Sequence, residues 1–134
     1  MPKKTILFAC IHNAGRSQMA AAFLTQLANP ERVHALSAGT QPAGQVHPEV
    51  VAAMREVGVD LSGTRPQKLT EELAAQATHL ITMGCGDECP YVPGLQRDDW
   101  ALADPKGKDI EQVRALRDEI KQRVEELIAR ENLR

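Results

Sequence analysis

The chain has 134 residues, a formal net charge of −2 at pH 7, and 43% hydrophobic against 25% charged residues. That is enough chain for one compact domain with its own core. It has neither the basic excess that nucleic acid demands nor an apolar run long enough for a bilayer, so neither partner is expected.

Met1-Pro2-Lys3-Lys4 precedes the short apolar run TILFAC. The run is too short for a signal peptide and reads better as a first strand over residues 4–9. A cytoplasmic chain is therefore expected. Structural disulfides are rare there, which leaves the three cysteines reduced and available for chemistry. Residues 17–28 carry Met19, Ala20, Phe23, Leu24 and Leu27 at helical spacing, and Asn29-Pro30 stops that helix. A second strand spans 33–38 and closes at Gly39. His47-Pro48 opens a helix with Val50, Val51, Met54 and Val57 on its buried stripe, ending at Gly58. Residues 60–69 form a loop, and Thr70 caps a short helix. A third strand covers 79–83. After the glycine-rich stretch 84–97, a short fourth strand is expected over 99–102, ending at Asp104-Pro105. The last helix begins near Asp109 and buries Ile110, Val113, Leu116, Ile120, Val124, Leu127 and Ile128.

Strands alternating with helices imply an α/β fold: a single domain with a four-stranded parallel sheet flanked by helices. Ligands of such sheets bind beyond the carboxyl ends of the strands. Cys10, Cys85 and Asp104 each follow a predicted strand, so the fold gathers them at one edge.

Residues 10–17 read CIHNAGRS and link the first strand to the first helix. Such a loop turns backbone N–H groups inward beside the positive end of the helix, where a tetrahedral oxyanion can sit. Ile11, His12, Asn13, Ala14 and Gly15 supply that cradle, and Asn13 and Gly15 tolerate positive φ. Arg16 adds a forked pair of donors. Cys10 lies at the base of the cradle, where these donors would favour its thiolate, and Ser17 can hydrogen-bond the sulfur.

CIHNAGRS resembles the Cys-x5-Arg-Ser loop of the low-molecular-weight protein tyrosine phosphatases and of the arsenate reductases that share their fold. SQMAAAF, the SAG at 37–39, MREVGVDLS and DDWALADPKGK resemble the reductase branch, and the similarity runs nearly the whole length. The resemblance implies Cys10 as nucleophile, Arg16 as stabiliser of the developing charge, and Asp104 as the general acid. It implies arsenate as substrate, with phosphate or sulfate able to occupy the same loop, and a role in arsenic detoxification. TMGCGDECP adds Cys85 and Cys89, which resemble the relay thiols of thioredoxin-coupled reductases. Cys85 would attack Cys10, Cys89 would attack Cys85, and thioredoxin or a small-thiol reductant would reduce the resulting bridge. The relay cysteines of familiar members are often spaced more widely. Many relatives also carry a glutamate, a ligand for a monovalent cation, where this chain has Ala21, so no potassium site is expected. No cofactor and no metal are expected, and a monomer suffices.

Other readings compete. Cys85, Cys89, His79 and Asp87 match no common closed zinc pattern. The same loop and acid could hydrolyse phosphotyrosine through a Cys10 phosphoenzyme, although two Phe, one Tyr and one Trp offer little for aromatic walls. A non-enzymatic redox or anion sensor would use the Cys85–Cys89 bridge to alter a partner surface. His12 reads equally as an assistant in catalysis or as a solvent-facing residue at the rim, His34 and His79 are packed or edge residues, and His47 caps a helix. Asp98, Asp99 and Asp109 read as surface charges, and Arg65 and Lys68 as solvated.

Overall fold

The computed structural model describes residues 3–83 and 94–134. Four parallel strands form one sheet: β1 (Lys4–Cys10), β2 (Val33–Gly39), β3 (His79–Thr82) and β4 (Gln96–Asp99), in the order β2-β1-β3-β4. The helices are α1 (Arg16–Leu27), α2 (Pro48–Arg55), α3 (Glu71–Ala75) and α4 (Ile110–Glu131). The expected fold class holds. Among the described residues, no helix is long and apolar enough to cross a membrane.

Side-chain alternation along β1 divides the core into two layers. Ile6, Phe8 and Cys10 face the layer built from α1, α2 and α4, where Met19, Phe23, Met54, Ile120 and Val124 are buried. Leu7 and Ala9 face a smaller layer with Ala38, Leu69, Ala74 and Leu80. Both faces of β1 are thus dry, which explains its nearly continuous apolar sequence. Cys10 ends β1 in register with Gly39 of β2, at the carboxyl edge of the sheet.

Two expectations are corrected. The fourth strand runs over Gln96–Asp99, not 99–102. It lies at the sheet edge and all four of its side chains are exposed, so it carries no apolar pattern to read. Trp100 follows the strand and turns beneath the sheet, 4% exposed, with its ring 5.7 Å from that of Phe8. Asp109 is not an idle surface charge. Its carboxylate accepts from Gln112 N at 2.9 Å while its own N–H donates to Gln112 Oε1, a reciprocal cap that starts α4.

Candidate active site

The loop between β1 and α1 has a simple hydrogen-bond pattern. Every carbonyl from residue 10 to 15 is taken. Cys10, Ile11, His12 and Ala14 accept from the backbone N–H groups of Thr40, Gln41, Ala43 and His47. Asn13 O accepts from Gln18 Nε2 and Gly15 O from Met19 N. In a trans peptide the N–H points opposite to the C=O. Carbonyls drawn outward therefore turn the N–H groups of the loop inward. Asn13 N shows that direction directly, donating to Cys10 Sγ at 3.2 Å.

Side chains lock this shape. Asn13 adopts φ 50, in the left-handed region that asparagine tolerates better than most residues. Its Oδ1 accepts from Gln18 Nε2 at 3.0 Å and Gln67 N at 2.9 Å, which fixes the amide orientation. Its Nδ2 then donates to Ser17 Oγ at 2.7 Å. Ser17 Oγ lies 2.9 Å from Cys10 Sγ, where its hydroxyl can donate to the sulfur once the thiol is deprotonated. A thiolate at Cys10 would meet two donors, Ser17 O–H and Asn13 N–H. Asn13, Ser17 and Gln18 are all buried, so these bonds face no competition from water.

Two glycines set clearances. A Cβ on Gly39 would stand 2.6 Å from Ile11 O and 2.8 Å from Asn13 N, so β2 can approach the loop only without a side chain there. Gly15, the N-cap of α1, is pressed in the same way by Pro105.

Arg16 is 5% exposed. Its Nη1 donates to Leu102 O at 3.3 Å, and its Nη2 lies 3.9 Å from Asp104 Oδ2. The other oxygen of Asp104 accepts from Lys106 N at 3.0 Å. The structure thus gathers Cys10, Ile11, His12, Asn13, Ala14, Gly15, Arg16, Ser17 and Asp104 at one edge. Cys85 and Cys89, together with Asp87, lie outside the described residues. His12 is half-buried at the rim and its Nδ1 pairs with Gln41 O at 3.2 Å. His47 is the N-cap of α2, but its side chain makes no capping bond. His34, Arg65 and Lys68 are exposed, and His79 is buried at the start of β3.

Sequence reasoning missed Gln18. It occupies the third helical position of α1, where glutamine commonly reaches back over the helix start, and that position was the available signal.

Comparison with known proteins agrees with this geometry. The profile for low molecular weight phosphotyrosine protein phosphatase matches residues 5–134. A relative from Halobacterium salinarum, named for arsenate reduction, is 41% identical over 124 residues, covering 90% of this chain and 87% of its own. A glutaredoxin arsenate reductase from a Synechocystis species is 36% identical over 130 residues, covering 95% and 98%. The solved thioredoxin-dependent arsenate reductase of Corynebacterium glutamicum superposes with a TM-score of 0.85 at 40% identity over 98% of this chain. This chain spans 63% of that longer one. The family profile spans all but the first four residues and the named relatives match over nine-tenths or more of the chain, so the chain belongs to the low molecular weight phosphotyrosine protein phosphatase family.

Proposed function

We propose that this protein reduces arsenate to arsenite. The observation that carries the reading is the loop of residues 10–16, with its carbonyls tied outward and its N–H groups turned toward Cys10. A tetrahedral oxyanion fits that arrangement, and the named relatives support arsenate as the substrate.

Arsenate binds with its oxygens on the loop N–H groups and Arg16. The Cys10 thiolate attacks arsenic, and one oxygen leaves as water after taking a proton from Asp104. The oxyanion charge is held by donors already in place. Cys85 then attacks Cys10 Sγ. The electron pair of the S–As bond stays with arsenic, so As(V) becomes As(III) and arsenite departs. A Cys10–Cys85 disulfide remains. Cys89 attacks Cys85, which frees Cys10 and moves the disulfide to Cys85–Cys89. Two electrons from an external dithiol, of thioredoxin or glutaredoxin type, or from a small thiol, close the cycle. This chemistry needs a reducing compartment, which supports a cytoplasmic setting. One chain supplies every group, so the unit of activity is a monomer.

The phosphatase alternative uses the same loop and acid. The described aromatic residues do not favour phosphotyrosine: Phe8, Phe23 and Trp100 are all buried, and none stands at the rim.

The test follows NADPH oxidation through thioredoxin reductase and thioredoxin, with and without arsenate. Wild type is expected to turn over continuously, and Cys89→Ser to complete at most one cycle. Failure of thioredoxin, glutaredoxin and small thiols alike, with normal hydrolysis of an aryl phosphate, would overturn the reductase reading in favour of the phosphatase.

A further inference from the structure

Asp104 stands on a segment that is short, irregular and half-exposed, yet the proposed chemistry needs its carboxyl in a fixed place. The fixing contact is with the loop itself. Pro105 is buried, and a Cβ built on Gly15 would fall 2.4 Å from Pro105 Cγ and 3.3 Å from Pro105 Cδ. No heavy atom fits in that space. Gly15 is not in the left-handed region, at φ −149° and ψ −87°, and the clearance is by itself a reason for glycine here.

We propose that the Gly15–Pro105 contact is the device that sets the height of Asp104 above the anion site, which makes Pro105 a positioning residue for proton transfer. The segment is anchored on either side of the contact. Arg16 Nη1 holds Leu102 O, and Lys108 N donates to Pro105 O at 3.1 Å. The Asp104 carboxyl is turned as well as placed. Oδ1 is held by Lys106 N, so Oδ2 is the oxygen left facing Arg16 at 3.9 Å. Because Gly15 starts α1 and Asp104 adjoins Pro105, the oxyanion cradle and its acid share one rigid spacer. Adding a methyl group at residue 15 must move one or the other. The cradle is held by six carbonyl bonds, so Asp104 moves.

The role in proton transfer rests on the functional reading above, whereas the spacing does not, and two measurements separate them. The first is a crystal structure of Gly15→Ala. Its expected result is a loop 10–14 unchanged and an Asp104 Oδ2 more than about 1 Å farther from Arg16, with Gly15→Ala/Pro105→Ala restoring the approach. A loop that shifts while Asp104 stays in place would overturn the proposal whether or not the protein reduces arsenate.

The second compares wild type, Pro105→Ala and Asp104→Asn on aryl phosphates of good and poor leaving groups, alongside inorganic phosphate affinity. Pro105→Ala, which removes the spacer and leaves every cradle residue in place, is expected to hold phosphate within about threefold and to lose about 10–100-fold on the poor leaving group, with little loss on the good one. The same selective loss should appear in Asp104→Asn. Equal losses on both esters, or loss of phosphate binding, would mean that the cradle itself was damaged, and the proposal would fail. A wild type inactive on arsenate and on both esters would sink the functional reading and the proton-transfer role with it, leaving the spacing to be judged by the crystal structure.

Discussion

Two arginines in this fold are almost equally buried and differ in what they hold. Arg117, on α4, makes three bonds to the fold: it donates to Asp118 at 2.9 Å, Ala53 O at 2.8 Å and Glu56 at 2.9 Å. Arg16 has one weak bond to Leu102 O and a distant carboxylate among the described residues. Arg117 joins α4 to α2, so three of its five N–H groups and both neighbouring carboxylates are committed to the fold. Arg16 keeps donors in reserve inside a buried site, an arrangement that makes sense where a ligand supplies the missing acceptors. The residues around each follow suit. The loop at Arg16 is shaped by neutral amides, a hydroxyl and backbone groups, whereas Arg117 sits among carboxylates that would repel an anion.

The sharpest way to break this contrast is to remove each nucleophilic or charged group in turn. Cys10→Ser should abolish arsenate turnover while leaving phosphate binding measurable by calorimetry. Arg16→Met should lower turnover by about 10²–10³-fold, with the urea midpoint unchanged or raised, since an unsaturated buried charge adds little to stability. A variant that lost stability and kept its activity would reverse the assignment.

Gly39→Ala comes next. Its methyl would collide with Ile11 O and Asn13 N, and phosphate affinity should fall by more than about tenfold, roughly 1.4 kcal/mol. Arg117→Met should do the opposite of Arg16→Met: a loss of about 1–2 kcal/mol in urea unfolding with turnover intact.

The smallest effect concerns pH. The hydrogen bond from Arg114 holds the Glu56 carboxyl down at about 2 against an ordinary 4.5, with burial opposing and Arg117 assisting. A lowered folded-state value means the stabilisation is complete above about 4.5 and is lost as pH falls toward about 2. Glu131 is lowered too: burial pushes it up, but hydrogen bonds from Lys4 and His79 outweigh that. Glu56→Gln should therefore flatten the acid limb of the urea midpoint, and catalysis at neutral pH should not change.

Much of this was legible in the sequence, for reasons that also explain the gaps. β1 and α1 announce themselves because both bury apolar side chains at their own periods, and CIHNAGRS lies between them. β4 was displaced because an exposed edge strand reading QRDD has no face to reveal, while the Trp100 beside it looks like strand and is in fact core. Asp109 and Gln18 were misread or missed for a common reason. Polar residues show in composition as surface, and only the position within a helix tells whether they turn back on the chain. The clearances at Gly15 and Gly39 depend on elements far away in sequence, Pro105 and the β1–α1 loop, and no local pattern encodes them.

The outward-tied carbonyls have a consequence for protein engineering. Four of their six donors are main-chain N–H groups of residues 40–47, and none of those four uses a side chain. The cradle should therefore tolerate wide sequence variation at positions 41 and 43, so a library there could recut the rim for new oxyanions without loosening the loop. One residue type would be barred. Pro42 is accommodated because Gln41 and Ala43 on either side supply the hydrogens, but proline at 40, 41 or 43 would delete a donor and let a carbonyl swing into the anion's place.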